Sequence, residues 1–190
     1  MNENLKEKIK EIVRQVSVSR MQMLIDNDAY RISESSAYHP HGYVFANKMS
    51  LIIVAGKALK MVFKVHFNKA DSCNVAKYMY GDERITEQQA NDAMKEYCNL
   101  TAGYLKKICV DHNTPVGISL PVVTSGFNEV FNESSETDFA NRVEDCWELG
   151  DGISNFSCSY QADILEEDDL NGLLAFEVEE EEEEGEFDFL

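Results

Sequence analysis

The stretch that decides the fold runs from Thr86 to His112, TEQQANDAMKEYCNLTAGYLKKICVDH. Apolar or small residues recur at Ala90, Met94, Tyr97, Thr101, Leu105 and Ile108, close to the 3.6-residue period, so the spacing predicts a helix of about seven turns. The Thr86 hydroxyl can accept from the Gln89 N–H while the Gln89 side chain reaches back, a T-x-x-Q capping box that marks the start. Lys106 and Lys107 sit near the far end, where the helix dipole favours cations. On the opposite face, steps of four, three and four residues bring Asp92, Glu96, Asn99 and Gly103 into one row. An ionised carboxylate only accepts hydrogen bonds, whereas an amide donates and accepts. Such a row can hold a cation with one member and orient a water with another. Glycine costs about 1 kcal/mol against alanine in a helix interior, so Gly103 points to something that comes close there.

The row resembles the signature of the CheC/CheX/FliY family, chemotaxis phosphatases that dephosphorylate the response regulator CheY, and it looks most like CheX. That signature is Asp or Ser, three residues, Glu, two residues, Asn, and a later Pro. Asp92, Glu96 and Asn99 match, and Pro121 in Ile118-Ser119-Leu120-Pro121-Val122-Val123 follows after 21 intervening residues, one fewer than the pattern has. Asn99-Leu-Thr-Ala-Gly103 resembles the family's N-x-x-A-G continuation. The resemblance implies that Asn99 orients the water that attacks an aspartyl phosphate, and that Glu96 pairs with a lysine of the receiver domain. Asp92, Gly103 and Lys106 are read as partner-contacting. The implied partner is a phosphorylated CheY-like receiver domain that carries its own Mg2+, with no cofactor, metal or covalent intermediate on this chain. A homodimer is implied as possible. The short spacing to Pro121, the long loop from Thr124 to Ala140 and an extra tail keep a second reading open: a non-catalytic adaptor on the same scaffold that docks response regulators or other signalling partners.

The order helix, β-hairpin, helix, long helix and then strands predicts an α+β domain, an antiparallel sheet with helices packed on it. The resemblance implies the same, with the motif helix exposed. Residues 4–25 predict the first helix, with Leu5, Ile9, Ile12, Val13, Val16 and Met23 or Leu24 along its stripe, and Asp26 to Gly42 reads as loop. Met49–Ala55 and Ala58–Phe67 predict a hairpin in which Gly56 supplies the positive φ of a type II′ turn, with His66 on the wet side of the alternation. Lys69–Tyr80 reads as a short helix closed by Gly81, Val116–Thr124 as a strand, and Arg142–Leu149 and Asn155–Leu165 as two more strands joined through Gly150-Asp-Gly152. Trp147 is expected in the core or at a dimer contact. Ser125-x3-Glu129-x2-Asn132 repeats the motif letters, but it lacks a helical apolar stripe and reads as a polar loop. His39-Pro40-His41 has no acidic or Cys partner nearby and reads as surface.

The 190 residues suit one domain, residues 1–175, followed by a tail over residues 176–190. With 17 basic against 35 acidic residues the formal net charge is -18, which disfavours nucleic acid and anionic membrane as partners. Five scattered cysteines without a C-x-x-C pair, no signal peptide and no long apolar run predict a reduced, cytoplasmic protein with no zinc site. The last stretch, EVEEEEEEGEFDFL, holds nine acids and no base, half of the net charge, and reads as a disordered acidic tail. A polyanion should be repelled from a face carrying Asp92 and Glu96, an effect screened beyond roughly 10 Å. Deleting residues 177–190 is therefore expected to change the rate of receiver dephosphorylation less than twofold at moderate salt. A large increase on truncation, in a phosphate-release assay, would show that the tail folds back onto the site.

Overall fold

The computed structural model describes residues 2–34, 43–125, 128–130 and 141–177. In chain order these form α1 (Glu3–Ile25), β1 (Arg31–Glu34), β2 (Tyr43–Phe45), β3 (Lys48–Gly56), β4 (Leu59–Phe67), α2 (Lys69–Tyr80) and α3 (Glu87–Asp111). Then follow β5 (Val116–Ile118), β6 (Val122–Ser125), β7 (Asn128–Val130), β8 (Arg142–Gly150), β9 (Asn155–Ile164) and a 3-10 segment, Asp168–Ala175. Seven strands make one sheet in the order β1-β8-β9-β4-β3-β5, with β6 also on β3, and every pairing is antiparallel. β2 and β7 pair with each other. The fold is α+β, as expected.

The core lies between α1, α2, α3 and one face of the sheet. Leu59, Met61, Phe63, Val65 and Phe67 of β4 point into it, as the alternation requires. His66 does not sit on a wet face: it is 1% exposed. Met49, Ser159 and Cys146 share its side of the sheet in register and are buried as well, so this part of the second face is dry too. Alternation tells which face a residue joins and is silent on whether that face meets water. On α1 the stripe continues through Met21 and Ile25, while Met23 is 48% exposed.

Three further details differ from expectation. Residues 31–34, read as loop, form β1; the segment turns only Ile32 toward the core and is too short and polar to alternate visibly. Gly56 keeps an ordinary φ inside β3, and its role is steric, because a Cβ there would lie 2.3 Å from the Pro115 carbonyl oxygen. The predicted strand 116–124 is broken into β5 and β6. Val54 faces Ile118 and Leu51 faces Val122, so the edge strand holds one residue more than β3 across this interval, a bulge. Pro121, which has no N–H to give to a ladder, sits at the bulge, and the Ser119 hydroxyl accepts the Ile53 N–H at 3.0 Å. The β8–β9 turn spans residues 151–154, where the Asp151 carboxylate accepts from the Ile153 and Ser154 N–H groups and Gly152 takes φ +87°.

At the chain's end, Leu170 and Leu173 are buried and the Phe176 ring meets the His112 ring edge-on, with centroids 5.8 Å apart. Packing therefore runs through Phe176. Residues 178–190, with Phe187, Phe189 and Leu190, and His39-Pro40-His41 lie outside the described residues.

A partly buried ion pair ties the β1–β8 side of the sheet to α1. Asp145 on β8 accepts from Arg14 Nε at 2.6 Å and Nη2 at 3.0 Å, and the same guanidinium reaches Glu34 on β1 at 2.7 Å. The Arg14 guanidinium, through these two carboxylates, has its pKa raised further, and it holds the Glu34 carboxyl below the usual range. A depressed carboxyl pKa contributes stability above the unfolded value, so the Glu34 contribution is present at neutral pH and lost as pH falls. Arg14→Met strands the Asp145 charge, whose side chain is 4% exposed, and is expected to lower the unfolding free energy by about 3 kcal/mol in urea titrations followed by Trp147 fluorescence.

Candidate functional site

The site is built from one helix. The capping box at its start is formed, with the Gln89 N–H donating to the Thr86 hydroxyl at 3.2 Å and the Thr86 N–H to Gln89 Oε1 at 2.9 Å. Ala90, Met94, Tyr97, Thr101, Leu105 and Ile108 are all buried, as their period requires, joined by Ala93, Cys98, Ala102 and Cys109. Asp92, Glu96, Asn99 and Gly103 project from the other side, each partly exposed. Lys106, one turn further, is exposed.

Two contacts organise the row. Lys95 Nζ donates to Asp92 Oδ1 at 2.8 Å, and the Asn99 amide reaches Glu96 Oε2 at 3.5 Å. The second is long for a hydrogen bond, so the amide is held only loosely and stays available to a water or a partner. Gly103 meets no neighbour: a Cβ built there finds nothing within 4 Å. Nothing it touches in the fold requires the missing side chain.

The flanks are anchored. Lys48 on β3 donates to Asn91 at 2.9 Å and pairs with Glu87, fixing the first turns of α3 to the sheet. On the other flank Arg20 of α1 stacks 4.1 Å from the Tyr104 ring centre, and Lys107 lies 5.5 Å from it. Burial pushes the Cys98 thiol up to about 12 and that of Cys109 to about 11, so neither offers a thiolate near neutral pH. What the row can do chemically is accept, donate and orient.

The echo does not repeat this geometry. Ser125 closes β6 and Glu129 lies in β7 opposite Val44, where an extended backbone sends successive residues to opposite faces. Asn132 lies outside the described residues. The expected polar loop is thus in part a strand. Sequence reasoning left out Lys95 and Lys48; the signal for Lys95 was its place three residues after Asp92 and four before Asn99, which puts it beside the row.

Residues 49–141 match the family model for chemotaxis phosphatase CheX, a span that includes all of α3 and the bulge at Pro121. This segment is similar to the CheX family, and the fold is CheX/CheC-like. Chemotaxis protein CheX from Vibrio vulnificus superposes with a TM-score of 0.61 at 13% identity, covering 80% of this chain and 97% of that one. A CheC-like superfamily protein from Shewanella sp. PV-4 gives 0.61 at 14%, covering 86% and 99%. A chain of the CheX-CheY-BeF3-Mg2+ complex from Borrelia burgdorferi gives 0.58 at 9%, covering 80% and 95%. No curated protein matches. Among the described residues no helix is long and apolar enough to cross a membrane.

Gly103→Ala tests whether the fold has any use for this glycine. It should raise the unfolding free energy by about 0.5–1 kcal/mol, the helix-propensity gain with no steric cost to offset it, in denaturant titrations.

Proposed function

We propose that this CheX-like chain hydrolyses the aspartyl phosphate of a CheY-type receiver domain. The observation that carries the reading is the row itself: Asp92, Glu96 and Asn99 on the solvent side of a capped, anchored helix, inside the segment that matches the CheX family. The similar fold of a chain from the Borrelia burgdorferi CheX-CheY-BeF3-Mg2+ complex supports a CheY-like partner.

The substrate brings most of the machinery, since Mg2+ and a lysine already attend the phosphoryl group on a receiver. What remains is to place a water in line with phosphorus and complete the charge balance. Asn99 suits the first task, because its amide accepts from a water with the oxygen or donates to it with the nitrogen. The water oxygen forms the new bond to phosphorus as the bond from phosphorus to the aspartyl oxygen breaks. Aspartate leaves as carboxylate, and the water's proton passes to phosphate or solvent. Glu96 pairs with the receiver's lysine, and Asp92 lies at the edge of the contact. Gly103 admits the partner's backbone where any side chain would stand in the way, and the exposed ammonium of Lys106 faces the receiver.

Asn99→Ala is expected to abolish phosphate release from the phosphorylated receiver with the circular dichroism unchanged, since a partly exposed amide contributes within about 0.5 kcal/mol to folding. Glu96→Ala should lower affinity for the receiver as well as rate. Normal turnover by Asn99→Ala would sink the assignment. Tight binding of phosphorylated receiver by the wild-type chain with no turnover would select the adaptor reading.

A further inference from the structure

Asp92 and Glu96 stand four residues apart on one helix face, a spacing at which two carboxylates repel each other. The row must also approach a phosphoryl group that is itself anionic. In the function proposed above, Glu96 is balanced by the receiver's lysine, but no partner group balances Asp92. The chain supplies its own cation: Lys95 Nζ lies 2.8 Å from Asp92 Oδ1, with both side chains close to 40% exposed. Lys95 is also four residues before Asn99, on the same side of the helix as the row. Elsewhere on α3 the described lysines do other work: Lys107 lies by Tyr104, and Lys106 is two turns further on.

We propose that Lys95 is a positioning residue of the row, cancelling the charge of Asp92 so that Glu96 alone meets the receiver as an anion. This rests on the phosphatase reading. The pair then acts on docking and leaves the in-line step to Asn99. An ordinary solvated ion pair at this spacing would affect neither.

The test is steady-state dephosphorylation of a phosphorylated CheY-type receiver by the full chain. Lys95→Met should raise KM about five- to tenfold with kcat within about twofold, as expected of one partly exposed charge near an anion. Added salt should narrow that difference, because the exposed carboxylate is screened. Lys95→Arg, which keeps the charge, should retain the wild-type KM within about twofold. Adding Asp92→Asn to Lys95→Met should recover most of the loss, since the charge that Lys95 offsets is then gone. An unchanged KM in Lys95→Met, or a double variant no better than the single, overturns the proposal while wild-type turnover upholds the phosphatase reading. A wild-type chain that neither binds nor turns over the receiver overturns both.

Discussion

The direction in which Glu96 and Asn99 face is fixed by Tyr97, one of the two residues between them. Its ring is wholly buried, it meets Phe63 of β4 edge-on with centroids 6.1 Å apart, and its hydroxyl donates to the Ser17 carbonyl of α1 at 3.0 Å. Burial holds the phenol well above its usual pKa, so it remains a donor throughout the working range. The same Ser17 accepts the Trp147 indole N–H at 3.1 Å, and its hydroxyl turns back to the Arg14 carbonyl. One serine thus joins α1, α3 and β8. A helix turns about 100° per residue, so a slip of one position would present Lys95 or Tyr97 where Glu96 belongs. Leaving the phenol buried without its acceptor would cost about 1–3 kcal/mol, which makes such a slip unfavourable even before the lost packing is counted.

The helix and its row were legible because two periodicities agree there. Thr86 with Gln89 announces the start, the apolar set from Ala90 to Ile108 marks the inner face, and Asp92, Glu96, Asn99 and Gly103 occupy the complement. No tertiary knowledge is needed to see that these polar residues share a side. What stayed hidden depends on partners distant in sequence. His66 is buried because the second face of the sheet is dry around Met49 and Ser159, and β1 forms on β8, with Ile32 against the core and Glu34 reached by the Arg14 guanidinium that Asp145 holds. Local alternation contains neither fact.

The glycines show the same division between local and distant causes. Gly81 takes φ +64° at the end of α2, a conformation that its place after a helical run foretells. Gly56 also reads as a turn glycine, yet what it satisfies is the backbone at Pro115, which arrives from the far end of α3. Gly103 belongs to neither group, since its surroundings are open. A fold under selection for stability alone has no reason to keep glycine there, because alanine would gain helix propensity at no steric cost.

The electrostatics of the site follow from how little of the protein it uses. A chain of net charge -18 would repel an acidic partner at long range, but at ordinary ionic strength charges farther than roughly 10 Å are screened, so the local set decides the encounter. That set is Asp92, Lys95, Glu96 and Asn99, in which Lys95 offsets Asp92 and Glu96 remains as the one anion. The acidic excess is carried elsewhere, half of it in the stretch after Phe176. A face close to neutral on a strongly acidic molecule can meet an anionic phosphoryl group without a basic patch, and it leaves discrimination to geometry. In the function proposed for this chain the substrate already holds its metal and its lysine, so geometry is the part left to the row: one amide, one carboxylate and a helix that does not turn.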